Sequence, residues 1–181
     1  LSGLDEVVEI AAKVNGLRCF TTIAPASDAL PYHENFERLR GRISQVAAVL
    51  AKQNIRLGLD FQPAPSAREG KEHEFIHDFD ALLKLVEGVS RDNVGLMIDP
   101  WQLHACAVSF DQVSQLAVER IVYVQLADAP ADKPAAALSE EDRTSPGAGG
   151  VDLAGFIKRL IDLEYNGPVT PVIHPSQFPG K

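Results

Sequence analysis

Six positions of this 181-residue chain stand where a short apolar run stops. "IRLGLDF" carries Asp60, "NVGLMID" ends on Asp99, "VYVQLADAP" holds Gln125 and Asp128, and "PVIHP" holds Val172 and His174. Taken singly, an Asp or a Pro after such a run is an ordinary loop-starting residue. As a set, oxygen donors at successive run ends are what a hard divalent cation or a polyol substrate needs.

The elements that position these residues alternate between strand and helix. "LDEVVEIAAKV" (4–14) has helical spacing and stops at Asn15-Gly16, and "LRCFTTI" (17–23) is β-rich up to Pro25. Helix is expected over 32–53, strand over 55–61 and helix over 73–88. Strand follows over 93–99, helix over 110–119 and strand over 120–126. A long Ala/Pro/Gly-rich loop (127–150) leads to a helix opened by Asp152 and stopped by Asn166-Gly167-Pro168, then to a last strand over 169–174. Five strands with a helix between each pair imply parallel βαβ units, and no stretch has the composition of an interdomain hinge, so residues 1–181 read as a single domain. In parallel α/β barrels the working residues sit at the C-terminal ends of the strands, where the positions above fall.

Composition narrows the function classes. The formal charge is -8 with acids spread along the chain, so no basic stripe is available for phosphates and nucleic-acid binding is not expected. Cys19 and Cys106 make no disulfide framework, and there is neither an apolar run of membrane length nor a signal peptide. A cytoplasmic protein acting on a small molecule is the expectation.

Three further motifs are weaker. "HEFIH" (73–77) satisfies the zinc protease pattern. On a helix, however, Phe75, Ile76, Phe79, Leu82, Leu83 and Val86 would form one face, and His73 and His77 would point to solvent on the other. Cys106 lies near His104 but lacks a third group to orient a base, so packing is expected. "SPGAGG" lacks the Lys-Ser/Thr of a phosphate loop and reads as a flexible approach to the Asp152 cap, within a loop long enough to serve as a lid. Leu153, Phe156, Ile157, Leu160 and Ile161 are expected to form a core face.

"IRLGLDFQP", "NVGLMIDPWQLH", "VYVQLADAP", "RTSPGAGGVDLAGFIKRL" and "YNGPVTPVIHP" resemble, in order and spacing, the second half of the xylose isomerase-like TIM barrels, the sugar phosphate isomerase/epimerase superfamily. The resemblance implies a (β/α)8-type barrel, here partial with about five βα units. It also implies a divalent cation such as Mn2+ or Mg2+ held by Glu, Asp, His and Glu on four consecutive strands, with the two Glu moving a proton between neighbouring carbons. On those positions stand Asp60, Asp99, Gln125 and Val172. The resemblance thus assigns metal-binding to Asp60, Asp99 and Gln125, with Asp60 also the base. Gln125 suits a hard cation but not zinc, and Val172 offers no ligand, so the expected metal site is weakened. His174, two residues beyond Val172 on the same face, is a candidate substitute ligand or base, or else a loop histidine held by Pro175. Trp101, Gln102, Asp128 and Arg143 match the family's substrate-contacting positions, and Ala148 stands where a Glu is frequent.

The implied activity is isomerisation or epimerisation of a small sugar, polyol or hydroxy-carbonyl compound through an enediolate. A dehydratase on the same barrel and a non-catalytic sugar-binding paralogue are the alternatives. An endonuclease of the related barrel type is disfavoured by the five histidines and the acidic charge. A whole barrel takes about 250 residues, so about 70 are short here, and the resemblance puts the shortfall mainly before Leu1. Either further segments of the chain or another subunit, as in a homo-oligomer, would then complete the barrel.

Overall fold

The computed structural model describes residues 3–177, and of Gln177 only the backbone. Five parallel strands form the main sheet: β1 (Arg18–Ile23), β3 (Arg56–Phe61), β5 (Val94–Ile98), β6 (Ile121–Leu126) and β7 (Val169–Pro171), in that spatial order. A two-residue antiparallel pair, β2 (Ala26–Ser27) with β4 (His73–Glu74), stands apart from it. The helices are α1 (Leu4–Lys13), α2 (Tyr32–Ala51), α3 (Phe79–Val89), α4 (Pro100–Ala105), α5 (Asp111–Ser114) and α6 (Leu153–Asp162).

Alternation along the strands gives the sheet two unlike faces. Leu57, Leu59 and Phe61 of β3, Leu96 and Ile98 of β5 and Val124 of β6 join one core with Ile43, Ala47 and Leu50 of α2 and Leu82, Leu85, Val86 and Val89 of α3. Each Leu, Ile, Val or Phe side chain among these, moved from water to this core, contributes about 1.5–3 kcal/mol. The other face is concave. Three steps separate β1 from β6, which would be about 14 Å in a flat sheet, yet the Phe20 and Tyr123 rings meet at 5.2 Å and Arg18 Nη1 donates to the Val122 carbonyl at 2.8 Å. The sheet is therefore curled, a parallel partial barrel with its helices outside. Gly95 permits one tight feature of the curl: a Cβ there would collide with the Arg120 carbonyl as β6 begins.

Several elements differ from the sequence reading. Residues 73–78 are not helical. His73 and Glu74 pair with β2, the Phe75 amide donates to the Pro25 carbonyl at 2.7 Å, and the Asp78 side chain accepts from the Ala81 amide at 2.8 Å, which starts α3 at Phe79. Phe75 and Ile76 are buried from an extended segment, so the apparent helical face was a product of two structures in series. His73 and His77 are thus not one turn apart, and His77 Nδ1 faces the Phe75 carbonyl at 2.6 Å. The stretch expected as a helix over 110–119 is the single turn of α5 and a 3-10 turn at Val118–Arg120. The short α4 was not foreseen, although Asp99-Pro100 is an N-cap followed by Pro at the first helical position. On α6 only Leu153, Phe156 and Leu160 are buried; Ile157 and Ile161 are 40% and 68% exposed, so the expected five-residue face narrows to three. The last strand ends at Pro171, because Pro at 168 and 171 leaves few amides for the ladder. Among the described residues no helix is long and apolar enough to cross a membrane.

Candidate functional site

Thr22, Asp60 and Gln125 lie on the concave face at the C-terminal ends of β1, β3 and β6, with Thr22 and Asp60 paired in register. With Gln62, Gln102, Glu140 and Arg143 they line a cavity of about 300 Å³. Of the residues expected at a site, Asp60, Gln102, Gln125 and Arg143 come together here. Thr22, Gln62 and Glu140 were not anticipated. Gln62 stands in the quoted "IRLGLDFQP", two residues beyond Asp60, where a strand-end reading could have found it. Nothing local marks Thr22 or Glu140.

Asp60 is 3% exposed. Its Oδ2 accepts from Thr22 Oγ1 at 2.9 Å and Gln102 Nε2 at 3.2 Å, while its Oδ1 is buried without a partner, as is Gln102 Oε1. Burial pushes this carboxyl up to about 7; the two hydrogen bonds oppose the rise and the nearby Asp99 adds to it.

Asp99 lies just past β5 and caps α4. Its Oδ1 accepts from the Trp101 amide at 2.9 Å and its Oδ2 from Arg143 Nη1. Arg143 also donates through Nε to Glu140 Oε2 at 2.5 Å, and its guanidinium lies 4.3 Å from the Trp101 ring centre. Burial raises the Asp99 carboxyl against the pull of Arg143 and the Trp101 amide. Burial alone would lower Arg143, and Asp99 and Glu140 more than reverse this. A guanidinium stays protonated at every working pH, so Asp99 faces a fixed positive charge.

Trp101, fully buried, supports Arg143 from behind and does not line the cavity. Asp128 is also buried, and its carboxylate organises the loop: Oδ1 accepts from the Ala129 and Val151 amides at 2.9 Å each and Oδ2 from Gly147 at 3.0 Å. Gly147 has a positive φ of 84°, and a Cβ on Gly149 would strike the Ala129 carbonyl, so "SPGAGG" is the sequence that lets backbone wrap this carboxylate. An antiparallel bridge between Asp128 and Thr144 and the bond from the Gly150 amide to the Ala129 carbonyl, 2.9 Å, complete the fastening. The segment is an ordered strut that holds Arg143 over the cavity. His174 is outside the cavity lining. Its backbone amide donates to the Arg143 carbonyl at 3.2 Å and its Nδ1 lies 2.8 Å from Ser176 Oγ. Val172 serves through its amide, which donates to the Leu126 carbonyl at 2.8 Å. Cys106 is pushed up to about 11 by burial, so its thiol stays protonated, in keeping with packing.

The expected cation ligands do not assemble into a cage. Both Asp99 oxygens are engaged, Gln125 is neutral, and position 172 carries no ligand atom. Among the described residues no group of three or more His, Cys, Asp or Glu is placed to hold an ion. What the arrangement offers instead is one free carboxylate oxygen, several amide side chains and a fixed guanidinium. Those groups can take a proton from carbon, bind hydroxyls and face developing negative charge.

The family pattern of the xylose isomerase-like TIM barrel matches residues 1–177. Inosose isomerase of Bacillus subtilis is 24% identical over 128 residues, 71% of this chain and 43% of that protein. A 3-dehydroshikimate dehydratase of Pseudomonas aeruginosa is 28% identical over 131 residues, 71% of this chain and 19% of that protein. A crystal structure of IolI protein with bound zinc superimposes with a TM-score of 0.79 at 19% identity, over 97% of this chain and 60% of that one. The chain thus spans less than half the length of these curated relatives.

Proposed function

Because the chain belongs to the xylose isomerase-like TIM-barrel family, we propose that it acts as an isomerase or epimerase on a small, uncharged polyhydroxylated carbonyl compound. The observation that carries this reading is Asp60: a buried carboxylate with one oxygen free, held near neutrality, at a cavity lined by Gln62, Gln102 and Gln125. A base with pKa near the working pH can both take and return a proton.

Asp60 removes a proton from the carbon beside the substrate carbonyl. The charge that develops on the carbonyl oxygen meets the donors of Gln102, Gln125 and Arg143, already in place before reaction. Returning the proton to the old carbonyl carbon, while the proton of the adjacent hydroxyl passes to the old carbonyl oxygen and that hydroxyl becomes the new carbonyl, completes an isomerisation on one face of the substrate. An epimerisation needs a second acid on the opposite face, for which Glu140 is the carboxylate at hand. Among the described residues the only cation lining the cavity, Arg143, is already flanked by Asp99 and Glu140. An anionic substrate therefore has no free counter-charge there, which favours a neutral one.

The 3-dehydroshikimate dehydratase likeness supports a second reading, in which the same abstraction is followed by loss of a hydroxyl two carbons from the carbonyl. Incubation with an inosose in deuterated water, followed by proton NMR, separates the outcomes. Loss of the signal beside the carbonyl with formation of an isomeric ketone is expected, and Asp60→Asn should slow the exchange by about 10²–10⁴-fold. A dehydrated product would favour the lyase. No exchange with inososes or simple ketoses would leave the chain as a binding protein, and unchanged exchange in Asp60→Asn would refute Asp60 as the base.

A further inference from the structure

We infer that Arg143 is the built-in cation of this site, its guanidinium standing beside Asp99 in the place a divalent ion would need, so that the pocket works on charge supplied by the chain itself. The inference rests on the reading above only in taking this cavity as the reacting site.

Three observations carry it. Asp99 spends both oxygens, one on the Trp101 amide and one on Arg143, so an ion could reach it only by breaking a buried ion pair. Breaking such a pair by removing one partner leaves an unpaired buried charge, which is strongly unfavourable. Arg143 is also built in rather than resting there: it is buried, its Nε is held by Glu140, its plane is backed by Trp101, and its backbone carbonyl accepts from His174. The loop bearing it is fastened to the end of β6 through Asp128. Finally, the side chains that would complete a cage are neutral at Gln125 and apolar at Val172. Against the four-ligand pattern of the resemblance, one charged ligand is gone at Val172 and an imidazole has given way to an amide at Gln125, both of which weaken the hold on a cation.

The charge pattern makes a prediction that a degraded metal site would not. Without the guanidinium, Asp99 and Glu140 lose the cation that pairs them, beside the Asp60 carboxyl on the same cavity, so removing Arg143 should raise the affinity for a cation.

The test is calorimetric titration of chelator-treated protein with Mn2+ and, separately, Zn2+. The parent should show no saturable binding below about 1 mM, whereas Arg143→Met should bind one ion with affinity at least about 30-fold higher. Arg143→Lys, which keeps a cation, should behave as the parent. One ion per chain bound by the parent at micromolar concentration and lost in Asp99→Asn would overturn the inference, as would a folded Arg143→Met that binds no better than the parent. Should Arg143→Met fail to fold, the parent titration decides alone. Because the titration needs no substrate, a protein that binds no ion and turns over no sugar would sink the proposed function and leave this inference standing.

Discussion

Replacing Asp60 with Asn should stabilise the protein at alkaline pH while removing its proposed base. In the folded chain the carboxyl is held at about 7 by burial, against 3.8 for an unperturbed group. Below both values it is protonated in both states and imposes nothing. As pH rises past about 4 the unfolded chain releases the proton and the folded chain keeps it, so stability falls until the folded group ionises near 7. The full loss, at about 1.4 kcal/mol per pH unit, is about 4 kcal/mol, and about 3 kcal/mol of it falls between pH 5 and pH 8. Asn cannot ionise, yet its carbonyl can still accept from Thr22 and Gln102. Urea unfolding of both proteins, followed by circular dichroism at pH 5 and pH 8, reads this residue by difference, together with its coupling to Asp99. The difference in unfolding free energy should move by about 3 kcal/mol in favour of Asp60→Asn over that interval, which corresponds to about 6–12 °C in Tm for a chain of this size. Parallel pH profiles would refute the reasoning, since they would mean that Asp60 ionises in the folded protein as it does in water.

Other expectations follow from packing. Phe156→Ala should cost about 3–5 kcal/mol in chemical unfolding, whereas Ile161→Lys on the same helix should change stability by less than about 0.5 kcal/mol. Equal losses would restore the broad core face read from periodicity. Gly95→Ala should destabilise by more than about 2 kcal/mol or abolish soluble expression, because the Arg120 carbonyl occupies the space of the new methyl group. Asp128→Ala leaves the buried amides of Ala129 and Val151 without an acceptor, so it should cost about 2–4 kcal/mol and expose the 139–150 segment to limited proteolysis; an unchanged cleavage pattern would show that the loop is held by other means.

Strands were the most legible part of the sequence because parallel strands buried by helices read as continuous apolar runs, and "LGLDF", "VGLMID" and "VYVQL" do so. The helices were read less well where two local signals overlapped. At 73–78 the apolar spacing suited a helix, but the Asp78 cap and pairing with Ala26–Ser27 decided otherwise. Short α4 offered no periodicity and only its cap could announce it. Within the site, residues at strand ends could be found from the ends of apolar runs, and Arg143 only from the family resemblance. Thr22 and Glu140 were out of reach, since one depends on the register of β1 with β3 and the other on how a long loop returns over the sheet. Asp128 illustrates a further limit. An acid beyond a strand end looks the same in sequence whether it faces a ligand or is wrapped by its own backbone.

The fastening of the 127–150 loop at Asp128 divides that segment into parts with different freedom to change. Residues 144–151 thread around a carboxylate through particular amides and glycines, so altering their number shifts Arg143 off Asp99. Asp132 lies exposed on the outward excursion, before the Lys133–Asp142 ion pair at 2.6 Å draws the chain back. Extra residues there add only the slowly growing entropy of a longer loop. The outward excursion is where insertions could reshape the mouth of the cavity and its choice of substrate, while the wrapped half carries the guanidinium unchanged from one variant to the next.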